Sequence, residues 1–370
     1  MAKSMHSLFD GAYAGRRVFV TGHTGFKGSW LVLWLQELGA EVCAIALPAA
    51  TEPSHHALLS PTINCASVDI RNGNAVRGAM QDFAPEMVFH LAAQALVRES
   101  YVQPKATFDV NVIGLVNVLE AVRATPSVRA VVNVTSDKCY RQNGSSAAFA
   151  ENDALGGHDP YSASKACAEI VSASYRASFL NAHAGSQGVA LATARAGNVV
   201  GGGDWSSDRL IPDLARAAAS TKTVPIRSPN AIRPWQHVLE PLAGYLQLGQ
   251  QLLEQPEQAA QYSAAWNFGP AADGHLTVGE VVSEFSKHWG AVHPELDTLA
   301  HPHEAATLHL DCTKAHTELG WRSVWNSSTM LERTASWYRA WYENGVVRTR
   351  LDLNDYVSDA RALHMPWAKT

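Results

Sequence analysis

Two Tyr-x-x-x-Lys pairs occur in the chain, Tyr101/Lys105 and Tyr161/Lys165. On a helix this spacing sets a phenol and an ammonium on one face, where the cation can lower the phenol pKa and let it accept a proton near neutrality. Pro104 stands inside the first pair and disfavours a helical conformation before it, so that pair is not expected to share a face. The second pair follows Asp159-Pro160, a good helix start, and runs into a long helical pattern. A hydroxyl partner for Tyr161 is expected near the C-terminal edge of a parallel strand, where ligands bind in such sheets. The run Val131-Val-Asn-Val-Thr135-Ser136-Asp137-Lys138 supplies Ser136, with ordinary strand-end capping as the alternative use of Thr135 and Ser136.

A phosphate cradle is the second chemical signature. Gly22, Gly25 and Gly28 fall at a G-x-x-G-x-x-G spacing in Thr21-Gly-His-Thr-Gly-Phe-Lys-Gly28. The first allows a tight turn, the second lets the backbone approach a phosphate, and the third lets helix and strand pack closely. The helix N-terminus then faces the anion. The acid that accepts from an adenosine ribose about 20 residues further on is missing, because Ala46-Leu47-Pro48 occupies the end of the second strand. That loop leaves NAD and NADP both open. Asp69-Ile70 follows a short run that fits a third strand, and Asp69 is either an adenine-edge contact or a solvated turn carboxylate.

These groups need elements to hold them. Arg17-Val-Phe-Val20 is a short apolar run ending in Thr21-Gly22, and Leu31, Leu35 and Leu38 then follow at helical spacing until Gly39. An apolar strand over 41–47 completes a βαβ unit. The alternation continues with a helix around 75–83, a strand over 87–91, a helix around 106–123, a strand over 130–134, a helix over 161–179 and a strand over 189–194. Continuous apolar strands separated by helices predict an α/β fold, a Rossmann-like doubly wound parallel sheet covered on both faces. After Gly201-Gly-Gly-Asp-Trp205 the rhythm becomes irregular, and a smaller, mixed C-terminal domain is expected there.

Length and composition bound the rest. The chain has 370 residues, 46% of them hydrophobic, enough for two domains and a large core. Lys plus Arg total 29 against 34 Asp plus Glu, a net charge of -5 that argues against a polybasic nucleic-acid or membrane-surface protein. Five scattered cysteines without a C-x-x-C pair predict free thiols in a reducing cytoplasm. No run of apolar residues predicts export or a membrane span. His301 and His303 are a metal pair by type only, outside every motif, and no metal is expected.

Taken together these features resemble the extended short-chain dehydrogenase/reductase family. Within it the chain resembles the nucleotide-sugar 4,6-dehydratases that act on CDP-glucose. The likeness spans about residues 17 to 340 and rests on Thr-Gly-His-Thr-Gly-Phe-Lys-Gly-Ser-Trp30, His90-Leu-Ala-Ala-Gln94, Thr135-Ser-Asp-Lys-Cys-Tyr140, Arg195-Ala-Gly-Asn-Val-Val-Gly-Gly-Gly-Asp-Trp205 and Arg233-Pro-Trp-Gln-His-Val-Leu-Glu-Pro241. It implies a redox-neutral dehydration of CDP-glucose to CDP-4-keto-6-deoxyglucose with NAD as resident cofactor. Tyr161 would accept the C4 hydroxyl proton, Lys165 support the phenolate and Ser136 hold the C4 oxygen. Asp137 matches the acid that protonates the C6 hydroxyl. Lys138 stands where related dehydratases carry Glu, so it is either the C5 base or a partner of Asp137 or of the enolate.

The resemblance further implies cofactor contacts from Gly22, Thr24, Gly25, Phe26, Gly28, Asp69, Ile70, Leu91, Ala92, Ala93, Tyr161 and Lys165. Gln94, Asn198, Arg209 and Arg233 would hold the substrate, a diphosphate wanting fork-like donors; a surface ion pair is the alternative for Arg209. Asn111 resembles an asparagine beside the active site, either a helix-kink residue or a catalytic one. Residues 1–198 with a return segment at 234–266 would form the NAD-binding domain, and 199–233 with 267–370 the nucleotide-sugar-binding domain. A homodimer or homotetramer is expected, with no nucleic acid and no membrane partner. Two other readings share the sequence. A 4-epimerase or decarboxylase on this scaffold needs only Ser136, Tyr161 and Lys165, and Asp137-Lys138 speaks for elimination instead. A dinucleotide-sensing regulator commonly loses the tyrosine or the lysine, and both are present.

Overall fold

Runs such as Val18-Phe-Val20 and Val131-Val132 carry apolar side chains on both faces, so they are stable only in a sheet covered on both sides. The computed structural model describes residues 5–142, 147–180, 188–220, 222–254, 256–290, 292–297 and 308–369, which leaves His301 and His303 outside the described residues. Its main sheet contains β1 (Arg17–Thr21), β2 (Glu41–Ala46), β3 (Asn64–Ser67), β4 (Met87–His90), β5 (Ala130–Val134) and β6 (Ala190–Ala196). A seventh strand arrives late in the chain, after β7 (Asn198–Val200), β8 (Thr223–Ile226) and β9 (Ile232–His237), as β10 (Ala265–Phe268). The order is β10-β6-β5-β4-β1-β2-β3, and every pairing is parallel. Strand order reverses between β1 and β4, and ligands bind in such sheets outside the carboxyl ends at that point.

Helices α1 (Phe26–Glu37), α2 (His55–Leu59), α3 (Gly73–Phe83), α4 (Val97–Val102), α5 (Pro104–Phe108), α6 (Leu115–Arg123) and α7 (Pro160–Tyr175) cross between these strands. The helix expected over 106–123 is divided. Pro104 opens α5, and a π-turn over Asp109–Gly114 separates it from α6. The wider turn aims Asn111 inward, where it bonds Gln94 and Ser164, the kind of functional use such turns serve. Tyr101 and Lys105 sit in two different helices, as Pro104 requires. Helix α7 starts where the sequence placed it: Asp159 accepts from the Ser162 amide at 2.9 Å and Pro160 takes the first turn. Its α-helical part stops at Tyr175, and a π-turn carries the chain to Leu180.

The C-terminal part supplies two small sheets, β11 (His275–Thr277) with β9 and β7, and β12 (His293–Leu296) with β8. Helices α8 (Leu210–Ser220), α9 (Leu239–Leu252), α10 (Pro256–Tyr262), α11 (Val278–His288), α12 (Ser327–Asn344) and α13 (Thr349–Ala362) complete it. Gly202 has a packing reason: a Cβ there would lie 2.0 Å from the Trp337 ring of α12. The Trp30 indole of α1 donates to the Gly202 carbonyl at 2.9 Å, so the cofactor-side helix, this loop and α12 share one core. Among the described residues no helix is long and apolar enough to cross a membrane.

Candidate active site

The β1–α1 turn is built for close approach. Gly22 has φ +81°, and a Cβ on it would meet the Ala92 amide nitrogen at 2.7 Å. A Cβ on Gly28 would lie 2.1 Å from the Gly22 carbonyl oxygen, so neither position admits a larger residue without moving backbone. The Thr21 hydroxyl accepts from the amides of Leu91 and Ala92 at 3.2 and 3.1 Å, fastening the ends of β1 and β4 together. Helix α1 starts at Gly25 with no side-chain cap and no acidic residue in its first turn, which leaves its N-terminal amides for an anion. Thr24 donates to the Leu47 carbonyl at 2.9 Å, closing the turn against the end of β2. Pinched glycines and an uncapped helix start at the switch point fit the pyrophosphate of a dinucleotide. At the far edge the Asp69 carboxylate is taken up by Arg71, at 2.9 Å to Nε and 2.5 Å to Nη2, and Ile70 is buried.

At the carboxyl ends of β5 and α7's first turn, the sequence-predicted polar groups converge. Tyr161 is 8% exposed, and its phenol lies beside the Ser136 hydroxyl. Ser136 Oγ donates to Asp137 Oδ1 at 3.0 Å and accepts from the Lys138 amide at 3.2 Å. Lys165, one turn along α7 and also buried, donates to the Val134 carbonyl at 3.3 Å. The expected lowering of the phenol is reversed here: burial pushes the Tyr161 pKa up to about 12, with the Ser136 hydroxyl and Arg209 opposing and Asp137 adding to the rise. The physical reason is that desolvating a phenolate outweighs these favourable contacts. Lys165 is itself lowered to about 8 by burial, against the pull of Glu169.

Asp137 is 3% exposed, and burial raises its pKa against the opposing effects of Lys138, the Ser136 hydrogen bond, Lys27 and Arg233. Its Oδ2 is buried without a hydrogen-bond partner among the described residues. Lys138 is half-buried and borders a cleft with Tyr140, His158 and Asp159. Arg233 on β9 is 6% exposed and lies in the field of Asp137. Arg209 ion-pairs with the buried Asp204 at 2.9 Å, yet it also lies in the field of Tyr161, so its ion pair belongs to the site. Asn198 opens β7, half-buried. The Gln94 side chain is engaged in its own loop, with Leu96 and with Thr107 at 2.9 Å, while its backbone is held by Asn111. Leu91, Ala92 and Ala93 run past Gly22 in the same loop; Phe26 packs on the core.

Two groups join the site that sequence reading did not assign. Lys27, within the quoted glycine motif, has its pKa lowered to about 7 by burial and by the neighbouring Arg209, with Asp137 opposing. Its Nζ lies 5.9 Å from the centre of the Tyr245 ring on α9. The Tyr245 hydroxyl is fully buried, has no partner among the described residues, and feels both Tyr161 and Asp137. Lys27 was open to detection as a cation beside the phosphate glycines; nothing in the sequence around Tyr245 marks it. The assembly therefore brings together the Ser136 hydroxyl and the Tyr161 phenol, a buried carboxyl able to give a proton, and several cations.

Comparison with known proteins agrees with this arrangement. A family model described as GDP-mannose 4,6 dehydratase matches residues 19–334. A CDP-glucose 4,6-dehydratase of Salmonella typhimurium (strain LT2) is 47% identical over 352 residues, covering 94% of this chain and 97% of the relative. A dTDP-glucose 4,6-dehydratase of Streptomyces antibioticus is 26% identical, covering 88% and 94%. Among solved structures, DesIV, a dTDP-glucose 4,6-dehydratase from Streptomyces venezuelae with NAD and TYD bound, superposes with a TM-score of 0.73 at 23% identity, over 88% of this chain and 99% of that one. The UDP-glucose 4-epimerase of Thermotoga maritima gives 0.76 at 20% identity, over 87% and 98%, which shows the same fold. The family match across most of the chain and the 47% identity over nearly its full length place this protein in the GDP-mannose 4,6 dehydratase family of nucleotide-sugar 4,6-dehydratases.

Proposed function

We propose that this chain is a cytoplasmic, NAD-dependent lyase that converts CDP-glucose to CDP-4-keto-6-deoxyglucose, working as a homodimer or homotetramer. The observation that carries the reading is the buried Asp137 carboxyl, with one oxygen unpartnered and the other bonded to the Ser136 hydroxyl that lies beside Tyr161. An epimerase needs Ser136 and Tyr161; elimination needs the extra acid as well. The CDP-glucose specificity is supported by the 47% identity to the Salmonella enzyme. Free cysteines at all five positions support the reducing compartment.

NAD, held by Gly22, Gly25 and Gly28, would supply the hydride acceptor for C4 and the hydride donor for C6. Tyr161 takes the C4 hydroxyl proton while Ser136 holds that oxygen. Lys165, charged below about pH 8, stabilises the phenolate that must form in a dry site. The new ketone acidifies C5–H; Lys138 removes that proton, and Asp137 protonates the departing C6 hydroxyl so that it leaves as water. Lys138 then returns its proton to C5 as C6 is reduced. The proton gained by Tyr161 balances the one given by Asp137, and the sugar has lost one water. Arg209 and Arg233 face the nucleotide diphosphate from the C-terminal region, which serves as the nucleotide-sugar-binding domain (199–233 and 267–370), and Asn198 faces it from the last residue of the first segment of the cofactor domain (1–198 and 234–266).

The homo-oligomer finds support in exposed apolar side chains on neighbouring helical segments, Ile113 at 52% and Ile170 at 57% exposure, which a second copy would cover. To test the activity, the protein is incubated with CDP-glucose and no added reductant, then treated with alkali. The absorbance of a 4-keto sugar is expected. Unchanged CDP-glucose, with turnover of UDP- or dTDP-glucose, would overturn the specificity.

A further inference from the structure

We propose that Glu169 and Arg195, a buried ion pair beneath the reaction centre, are positioning residues that clamp both ends of the segment carrying Ser136, Asp137 and Lys138. This inference rests on the reading of that segment as the elimination machinery.

Glu169 lies on α7 one turn beyond Lys165, and Arg195 lies near the end of β6. Their contact is 2.8 Å, with both side chains 3% exposed. Isolated buried ion pairs add little to stability compared with apolar packing, so stability alone does not account for this one. Besides bonds with the Thr193 hydroxyl and the Glu151 carbonyl, two of its hydrogen bonds show what it holds. The Glu169 carboxylate accepts from the hydroxyl of Thr135, the residue just before Ser136. Arg195 Nη1 donates to the hydroxyl of Tyr140, two residues past Lys138, at 2.6 Å, and its guanidinium sits 4.8 Å from that ring's centre. Tyr140 is in turn fixed by donating to Asn267 at 2.7 Å. The functional triplet is thus strung between two tethers that meet in one ion pair, on rigid elements behind the site. A carboxyl and an amine that must face C6 and C5 of one sugar need such support, because misplacement by about 1 Å costs up to about 100-fold in rate.

Removing either member of the ion pair would strand a buried charge and endanger the fold, so the test cuts the tethers instead. Thr135→Val severs the Glu169 end and Tyr140→Phe the Arg195 end, and thermal unfolding confirms that each variant is folded. Single turnovers with CDP-glucose then separate two steps: C4 oxidation, read as reduced-cofactor absorbance, and C5 exchange, read as solvent deuterium in the product. Tyr140→Phe, whose tether lies on the Lys138 side, is expected to slow exchange about 10- to 100-fold while C4 oxidation changes much less, so reduced cofactor accumulates; Thr135→Val, next to Ser136, is expected to slow both steps. Equal slowing of the two steps in Tyr140→Phe, as general loosening would produce, or no change in either variant, overturns the clamp alone. A wild-type chain that forms no keto sugar overturns the reading of the segment and the clamp with it.

Discussion

Asp137 and Lys138 are consecutive in the chain, yet the fold treats them differently. The carboxyl is 3% exposed and burial raises its pKa, whereas the lysine is half-buried at a cleft edge. Proton donation suits the first, because burial disfavours its charged form. Lys138→Gln keeps a polar, hydrogen-bonding side chain one atom shorter, but cannot take a proton. The variant is expected to lose C5 exchange with solvent by about 10²- to 10⁴-fold, measured by deuterium incorporation, while C4 oxidation persists. Intact exchange would assign the base elsewhere, and Lys27, lowered to about 7 in the same site, would be the next group to substitute. Tyr161, Lys165 and Ser136 were legible because an i, i+4 spacing and a strand end are local features. The direction of the Tyr161 shift was not, since it depends on how much water the surrounding fold removes.

Among the elements, the β1–α1 turn makes the sharpest demand on sequence. Gly22 and Gly28 are forced by contacts with the backbone of Ala92 and of Gly22 itself, and backbone cannot swing aside as a side chain does. Gly28→Ala would place a methyl 2.1 Å from the Gly22 carbonyl. The expected result is a loss of about 1–3 kcal/mol in stability together with weaker NAD binding, followed by denaturant unfolding and by calorimetric titration. Unaltered affinity would show that the turn does not meet the cofactor. The division of the 106–123 helix shows the limit of pattern reading. Hydrophobic periodicity continues through a π-turn almost unbroken, and only the pull of Asn111 toward Gln94 and Ser164 reveals the extra residue.

Long-range ties decide how the two regions of the chain meet. Glu240, at the start of α9 and 1% exposed, accepts from the amides of Val324 and Trp325 and from the Tyr356 hydroxyl. Burial nevertheless pushes its pKa from the ordinary 4.5 up to about 7. A carboxyl raised in the folded state binds more protons than in the unfolded chain between these values. Its stabilisation is full below about pH 4.5 and lost as pH rises through 7, by roughly 3 kcal/mol. Going from pH 5 to pH 8, Glu240→Gln should therefore change in unfolding free energy more favourably than the wild type, set against the opposite slope of the buried His23, His55, His90 and His237, all lowered by burial. Part of the carboxyl slope should survive through Asp352, raised to about 7 chiefly by burial; an unchanged slope would clear Glu240 of the effect. What the amino-acid order determined alone was local chemistry: the glycine turn, the Tyr161/Lys165 face, the hydroxyl at the end of β5 and the parallel alternation that presents them. Only the tertiary structure decided the Glu169–Arg195 ion pair, the Tyr245 hydroxyl behind the site and Trp337 filling the space above Gly202. Each of these joins segments separated by tens to hundreds of residues, and no periodicity or spacing encodes such a contact; burial and packing create it.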